Sequence, residues 1–78
     1  MQLTNDTARI DEAALGLLYL TLHDESRAWK VLDRDIFDRL HGAGLIGDPA
    51  SKTKSIVFTD KGLAAAEAAW RKLFTQRA

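Results

Sequence analysis

The sequence predicts a mainly α-helical domain with one small β-hairpin, in the order helix, helix, helix, strand, strand, helix (α-α-α-β-β-α). Three segments begin with a helix-capping residue that lies between two apolar residues spaced five apart, a pattern typical of helix starts. The turn-rich run GDPASKTK and a short β-branched run precede the last of these segments. The 78 residues are expected to form a single domain over 1–78, with residues 1–10 as a flexible N-terminal arm.

The first helix is predicted to begin after Asp11, whose carboxylate would cap it, and to run from Glu12 to about Leu22. Ile10 and Leu15 bracket this start as an apolar pair. Apolar residues then occupy nearly every side of the helix, which favours a central helix that is buried on several sides.

A short second helix and a longer third helix are predicted to follow. Ser26 would cap the short helix over residues 27–32, and Trp29 and Leu32 would have to dock it, because so short a helix is unstable alone. Asp33 would cap the third helix. A glycine-rich stretch then favours a left-handed cap at its end.

The hairpin is predicted to pair residues 55–58 with Leu45 and Ile46 across the turn-rich run. Thr59 would cap the last helix directly after the second strand. Phe58 would both end the strand and bracket the helix start, so no linker is needed between them.

Charge and composition narrow the class of protein. Eleven basic and eleven acidic residues cancel, but residues 1–25 carry five acidic residues and one basic residue, whereas residues 50–78 carry six basic and two acidic. This asymmetry could serve an anionic partner or self-complementary packing.

Because the chain has no cysteine, disulfides, cysteine zinc sites and thiol catalysis are excluded. A cytoplasmic location is expected, with neither a membrane span nor a signal peptide.

Two stretches resemble the winged helix-turn-helix domain of bacterial regulators of the multiple-antibiotic-resistance and phenolic-acid-response types. Residues 36–46, ending in Gly-Leu-Ile, are similar to the end of a recognition helix, and residues 57–63 to the L-T-x-x-G exit from the wing. More narrowly, LTLHDESRAWK, DRLHGAGLI and SIVFTDKGL resemble a family of short bacterial proteins known only as a domain of unknown function. The winged-helix resemblance implies a recognition helix at 34–43 and a wing at 47–56. The nucleic-acid contacts that it implies are Arg34, Arg39, His41, Lys52 and Lys54.

The third helix departs from this pattern because it is acidic overall. Asp33, Asp35 and Asp38 outnumber its two arginines, and DNA binding draws much of its affinity from cations that neutralise phosphate. Arg39 is expected to pair with Asp35 or Asp38 along its own helix. His41 is expected to be a solvated histidine near a helix end, and the two loop lysines suit a solubilising hairpin tip as well as a phosphate contact. DNA is therefore a disfavoured partner.

No catalytic constellation is visible in the sequence. His23, Asp24 and Glu25 are consecutive, and neighbouring residues on one turn rarely converge on a metal ion. A nucleophilic triad, paired catalytic carboxylates and a glycine-rich phosphate cradle are all missing from the pattern. The chain is therefore expected to have no enzymatic activity, metal or cofactor.

The two tryptophans and the last helix point to packing and assembly. Apolar neighbours at helical spacing favour core or interface packing for Trp29 and Trp70 over stacking on bases or ligands. The last helix carries an apolar seam, which predicts a homodimer because one small domain needs little of that surface. The seam and its extension are Leu63, Ala66, Trp70, Leu73 and Phe74. The leading expectation is a binding module that acts through protein–protein contacts, and the alternative is a DNA-binding transcription regulator.

Overall fold

The structure is a computed structural model that describes residues 2–50 and 52–77. Its five elements, in chain order, are α1 (Thr7–Tyr19), β1 (Arg27–Trp29), α2 (Arg34–Gly42), β2 (Ser55–Val57) and α3 (Asp60–Phe74). The two strands pair antiparallel. The predicted class, mainly helical with a small antiparallel β element, is confirmed.

Helix α1 begins at Thr7, five residues before the predicted start at Glu12. Asp6 caps it instead, since its carboxylate accepts a hydrogen bond from the backbone N–H of Arg9 at 3.1 Å. Residues 7–10, expected in the arm, form the first turn. Both aspartates satisfy the requirement for a capping side chain, and the earlier cap leaves Asp11 inside the helix, with its carboxylate available for another partner.

The predicted short helix over residues 27–32 is wrong, because its first half is strand β1. Arg27, Ala28 and Trp29 pair with Val57, Ile56 and Ser55 respectively. Ala28 points inward and is completely buried, whereas Trp29 points outward and is 46% exposed. A helix of six residues has little stability of its own, so pairing with β2 satisfies the backbone better. Trp29 consequently does not dock this segment into the core.

The predicted pairing of residues 55–58 with 45–46 is confirmed as a bridge between Ile46 and Phe58. The N–H of Gly47 donates to the carbonyl of Val57 at 2.8 Å, on the side of β2 opposite to the bond from Phe58 N–H to Ser26 O. Strand β2 therefore lies between β1 and residues 45–47. Between α1 and Ile46, the described chain holds one helix, α2, where the prediction had two.

The starts of the other two helices follow the prediction. Helix α2 begins at Arg34 after Asp33, although the Asp33 side chain makes no capping hydrogen bond. Gly44 follows α2 with a φ of 76°, the left-handed conformation expected at a helix end. Thr59 caps α3, and its hydroxyl accepts from the N–H of Gly62 at 3.0 Å.

The core lies between the sheet and the three helices, with α1 packed along α3. Leu18 of α1 and Ala66 of α3 are both completely buried. A Cβ atom built on Gly16 would lie 2.7 Å from the Phe74 ring, so the two helices approach closely there. The buried cluster consists of Leu15, Leu18, Ala28, Phe37, Leu40, Ile46, Ile56, Phe58, Ala66 and Ala69. Among the described residues, none of the helices has the length and apolar character needed to cross a membrane.

Candidate functional site

The two stretches that carry the winged-helix resemblance meet at one joint, between the end of α2 and the start of α3. The hydroxyl of Thr59 donates to the carbonyl of Gly44 at 2.7 Å and accepts from the N–H of Gly62. The N–H of Thr59 donates to the carbonyl of Leu45 at 3.0 Å. Lys61 also reaches the joint, where its ammonium donates to the carbonyl of Ala43 at 3.1 Å.

Gly62 is required at this joint for a steric reason. A Cβ atom there would lie 1.7 Å from the carbonyl oxygen of Leu45, far inside van der Waals contact. The backbone of Leu45 can approach α3 only because residue 62 has no side chain. The Thr-x-x-Gly pattern of this sequence therefore has a structural explanation that involves no ligand.

Arg39, a predicted nucleic-acid contact, forms an ion pair with α1. Its Nε and Nη2 donate to the two carboxylate oxygens of Asp11 at 2.9 and 2.8 Å. This bidentate bond, together with the nearby charges of Asp35 and Asp33, raises the pKa of Arg39 above its ordinary value. The prediction that Arg39 pairs with an aspartate of α2 is thus wrong. Arg39 instead links α2 to α1 through Asp11, which is 28 positions away in the sequence.

The other predicted nucleic-acid contacts have different surroundings. Arg34 is exposed and makes a loose pair with Asp38, with Nε and Oδ2 3.8 Å apart. The Nδ1 atom of His41 lies 3.1 Å from the carbonyl oxygen of Ile46. Since a carbonyl oxygen can only accept, Nδ1 is the donor. Lys52 and Lys54 are exposed in the loop before β2. Helix α2 therefore uses one of its two arginines and its histidine within the fold.

Three of the five predicted interface residues face the interior of the chain. Ala66 is completely buried, and Leu63 packs against the core. The Trp70 ring lies 5.2 Å from the Tyr19 ring at an angle of 32°, so it links α3 to α1. Leu73 and Phe74 remain exposed. Of the predicted seam, these two residues are therefore the ones that a second chain could contact.

Leu73 and Phe74 lie beside exposed apolar residues of α1 that the sequence analysis placed in the core. Leu17 lies on α1 and Leu20 immediately follows it, and both are exposed. We call Leu17, Leu20, Leu73 and Phe74 the α1–α3 apolar patch. The signal for its α1 half was present in the sequence, because apolar residues surround the helix on more sides than one core can cover.

Two acidic residues of α1 are paired with cations from other helices. Glu12 of α1 accepts from Lys72 of α3 at 3.1 Å, and Asp11 binds Arg39 as described. The pair of Glu12 with Lys72 joins the acidic N-terminal part to the basic C-terminal part. Of the two roles open to the asymmetry, self-complementary packing accounts for these pairs.

His23, Asp24 and Glu25 form a tight turn before β1. His23 bridges to Arg27, while Asp24 and Glu25 both have positive φ. Within the described part of the chain, no three histidine, cysteine or carboxylate side chains are close enough to hold a metal ion. The His23 ring instead stacks on Trp29, with centroids 4.1 Å apart and an interplanar angle of 22°.

Comparison with known proteins assigns the chain to a family. Residues 6–76 match a domain of unknown function, DUF6429. The chain belongs to this family. It is also 54% identical over 71 residues to the uncharacterized protein y4hR of Sinorhizobium fredii (strain NBRC 101917 / NGR234). The aligned region covers 91% of this chain and 96% of the relative. No solved structure matches the chain.

The DUF6429 match coincides with the folded part of the chain. It begins at Asp6, the cap of α1, and ends two residues after Phe74, the last residue of α3. The predicted narrower resemblance, to a family known only as a domain of unknown function, is confirmed. The family unit therefore includes both the joint at Gly62 and the α1–α3 apolar patch.

Proposed function

We propose that this protein is a non-enzymatic binding module of the cytoplasm that acts through protein–protein contacts and assembles as a homodimer. The observation that supports this proposal is the α1–α3 apolar patch. Leu17, Leu20, Leu73 and Phe74 are 44%, 61%, 41% and 42% exposed. Contiguous exposed apolar surface of this kind marks interaction sites on small soluble domains.

The patch is continuous across the two helices. Leu17 and Leu20 follow Ala13 at intervals of four and three residues, so all three lie on one side of α1. Leu73 lines the same surface groove as Ala13. The Phe74 ring covers Gly16, the residue next to Leu17. The four side chains therefore form one surface.

The occupant that best suits this surface is a second copy of the chain. Charged residues on the same two helices are already paired: Arg9 with Asp6, Lys72 with Glu12 and Arg71 with Glu67, at 3.5, 3.1 and 3.0 Å. A strongly charged partner would gain little from such a neutral rim. A second copy brings an equally neutral rim, and a twofold axis brings the patch against itself.

Sedimentation equilibrium tests the homodimer. We expect the wild type to be a dimer at micromolar concentration, and Leu17→Glu and Leu73→Glu to be folded monomers, because a desolvated carboxylate cannot be tolerated in an apolar interface. Val31→Glu is the matched control, since Val31 is also apolar and exposed but lies after β1, outside the patch. Circular dichroism checks that each variant folds. A wild-type monomer of 8.7 kDa at millimolar concentration would reject the proposal.

The alternative proposal, a DNA-binding regulator with recognition helix 34–43 and wing 47–56, is favoured only by the exposed loop lysines. Lys52 and Lys54 are exposed to solvent and can contact a phosphate. Arg39, in contrast, is bound to Asp11. DNA binding would require affinity for duplex DNA that falls steeply with salt and drops in Lys52→Ala and Lys54→Ala. The leading proposal expects no such binding.

A further inference from the structure

We propose that the outer face of the β1–β2 sheet binds an unpaired base of single-stranded nucleic acid through the stacked rings of Trp29 and His23. This site is separate from the α1–α3 apolar patch, and neither proposal depends on the other. Aromatic rings exposed beside cations are the usual platform for single strands, because every base has a flat face that can stack.

Trp29 is placed outward by the alternation of β1. Ala28 fills the inward position, so the neighbouring indole projects from the opposite face of the strand and is about half exposed. The His23 imidazole lies nearly parallel to it, with ring centroids 4.1 Å apart. A base that stacks on this pair would extend an existing stack rather than create one. Val57 is also outward and exposed on β2, which lengthens the apolar floor.

The histidine is held in this position by a strained turn. Asp24 and Glu25 have φ values of 47° and 69°, in the left-handed region that side-chain-bearing residues avoid. His23 exchanges backbone hydrogen bonds with Arg27 at 2.8 and 2.9 Å, and its Nδ1 donates to the carbonyl of Thr21 at 3.0 Å. Backbone strain of this kind concentrates where a side chain is held for function. The ring stack is therefore oriented before any ligand arrives.

The edges of the sheet are already occupied, so a partner strand has little to pair with. On the β1 side, the N–H of Trp29 donates to the hydroxyl of Thr21 at 3.1 Å. On the other side, the carbonyl of Ile46 is bound by His41. Addition of a protein strand to an edge is consequently disfavoured. The outer face is the accessible part of the sheet, and it suits a flat ligand.

Cations lie on β1 and in the loop before β2, where a phosphate backbone that crosses the face would meet them. Arg27 projects from the same face as Trp29, with a long hydrogen bond of 3.4 Å to Ser55, and Lys52 and Lys54 are exposed in the loop. The opposing acidic groups, Asp24 and Glu25 in the turn and Asp48 at the start of the loop, are exposed as well. Three cations predict that log affinity falls with log salt with a slope of about −2.

Tryptophan fluorescence of the full chain, titrated with twelve-nucleotide oligo-dT and oligo-U at low salt, tests the site. We expect quenching by both strands, Trp29→Ala to weaken binding about tenfold or more, and Trp29→Phe to retain most of the affinity because it keeps a ring. Val31→Ala, which removes exposed apolar surface after β1, should change affinity less than about twofold. Since Trp70 also fluoresces and Trp29→Ala removes the indole of the site, the affinity of each variant is also measured by anisotropy of a labelled oligonucleotide.

Several outcomes decide the proposal. Equal affinity for the two oligonucleotides supports stacking on the base alone, and a preference for oligo-U supports the same site with an added contact to the 2′-hydroxyl. An absence of binding to both at millimolar strand concentration overturns the proposal, as does unchanged affinity in Trp29→Ala. Loss of affinity in Trp29→Ala that Trp29→Phe does not restore also overturns it. If Trp29→Ala instead abolishes self-association, the face is a protein interface and the proposal is wrong.

Discussion

Substitution of Gly62 by alanine gives the sharpest test of the joint between α2 and α3. The added Cβ would lie 1.7 Å from the carbonyl oxygen of Leu45 and 2.6 Å from its carbonyl carbon. Both atoms belong to the backbone, so no side-chain rotation can relieve the overlap. The chain at Leu45 must move by more than about 1 Å to restore van der Waals contact, and overpacking of this kind costs roughly 1–3 kcal/mol.

The movement would also disturb the hydrogen bonds of the joint. The bonds from Thr59 N–H to Leu45 and from the Thr59 hydroxyl to Gly44 each contribute about 0.5–1.5 kcal/mol. Alanine recovers about 0.5–1 kcal/mol, because it restricts the unfolded chain more than glycine does. The net expectation is a loss of roughly 3 kcal/mol in the free energy of unfolding, a large share of the stability of a small domain.

Urea denaturation, followed by circular dichroism at 222 nm, measures this loss. Gly42→Ala is the matched control, because Gly42 ends α2 and a Cβ there meets nothing within 4 Å. We expect the control to raise the free energy of unfolding by about 0.5–1 kcal/mol. The reasoning fails if Gly62→Ala costs less than about 1 kcal/mol, or if the two substitutions change stability in the same direction.

Three further substitutions test other parts of the fold. Glu25→Gly should raise the free energy of unfolding by roughly 0.5–1 kcal/mol in urea titration, because it relieves a left-handed φ of 69°; a decrease would show that the turn is unstrained. A double-mutant cycle with Asp11→Ala and Arg39→Ala should give a favourable coupling that shrinks as salt is raised, and zero coupling at low salt would contradict the ion pair. Ala66→Leu should lower the free energy of unfolding by about 1–3 kcal/mol because Ala66 is completely buried. Ala68→Leu, on the exposed side of α3, should be nearly neutral. Equal effects of the two substitutions would refute the packing of α3 against the core.

Local signals in the sequence were sufficient to predict much of the fold. Thr59 caps α3, α2 begins at Arg34, and Phe58 reaches the chain at Ile46. Each of these features depends on residues close in sequence or on a turn that returns the chain directly. Caps, staples and turn residues act through the first unpaired backbone groups of an element, so their effect is readable without knowledge of distant partners.

The sites depend on contacts between residues that are far apart in the chain. Residues 27–29 carry a plausible helix start, yet they form a strand because β2, 28 residues away, offers backbone partners and buries Ala28 against Ile56. The outward position of Trp29 follows from that pairing alone.

Arg39 is similar, because Asp35 and Asp38 on its own helix were both plausible partners. Packing of α1 against α2 instead brings Asp11 within 2.8 Å. The exposure of Leu17 likewise depends on where α3 ends along α1. The spacing of apolar residues in α1 does not indicate that position. Helix caps and turns are local free-energy minima of the chain, whereas ion pairs, strand pairing and the exposed part of an apolar helix are decided by which distant surfaces come into contact on folding.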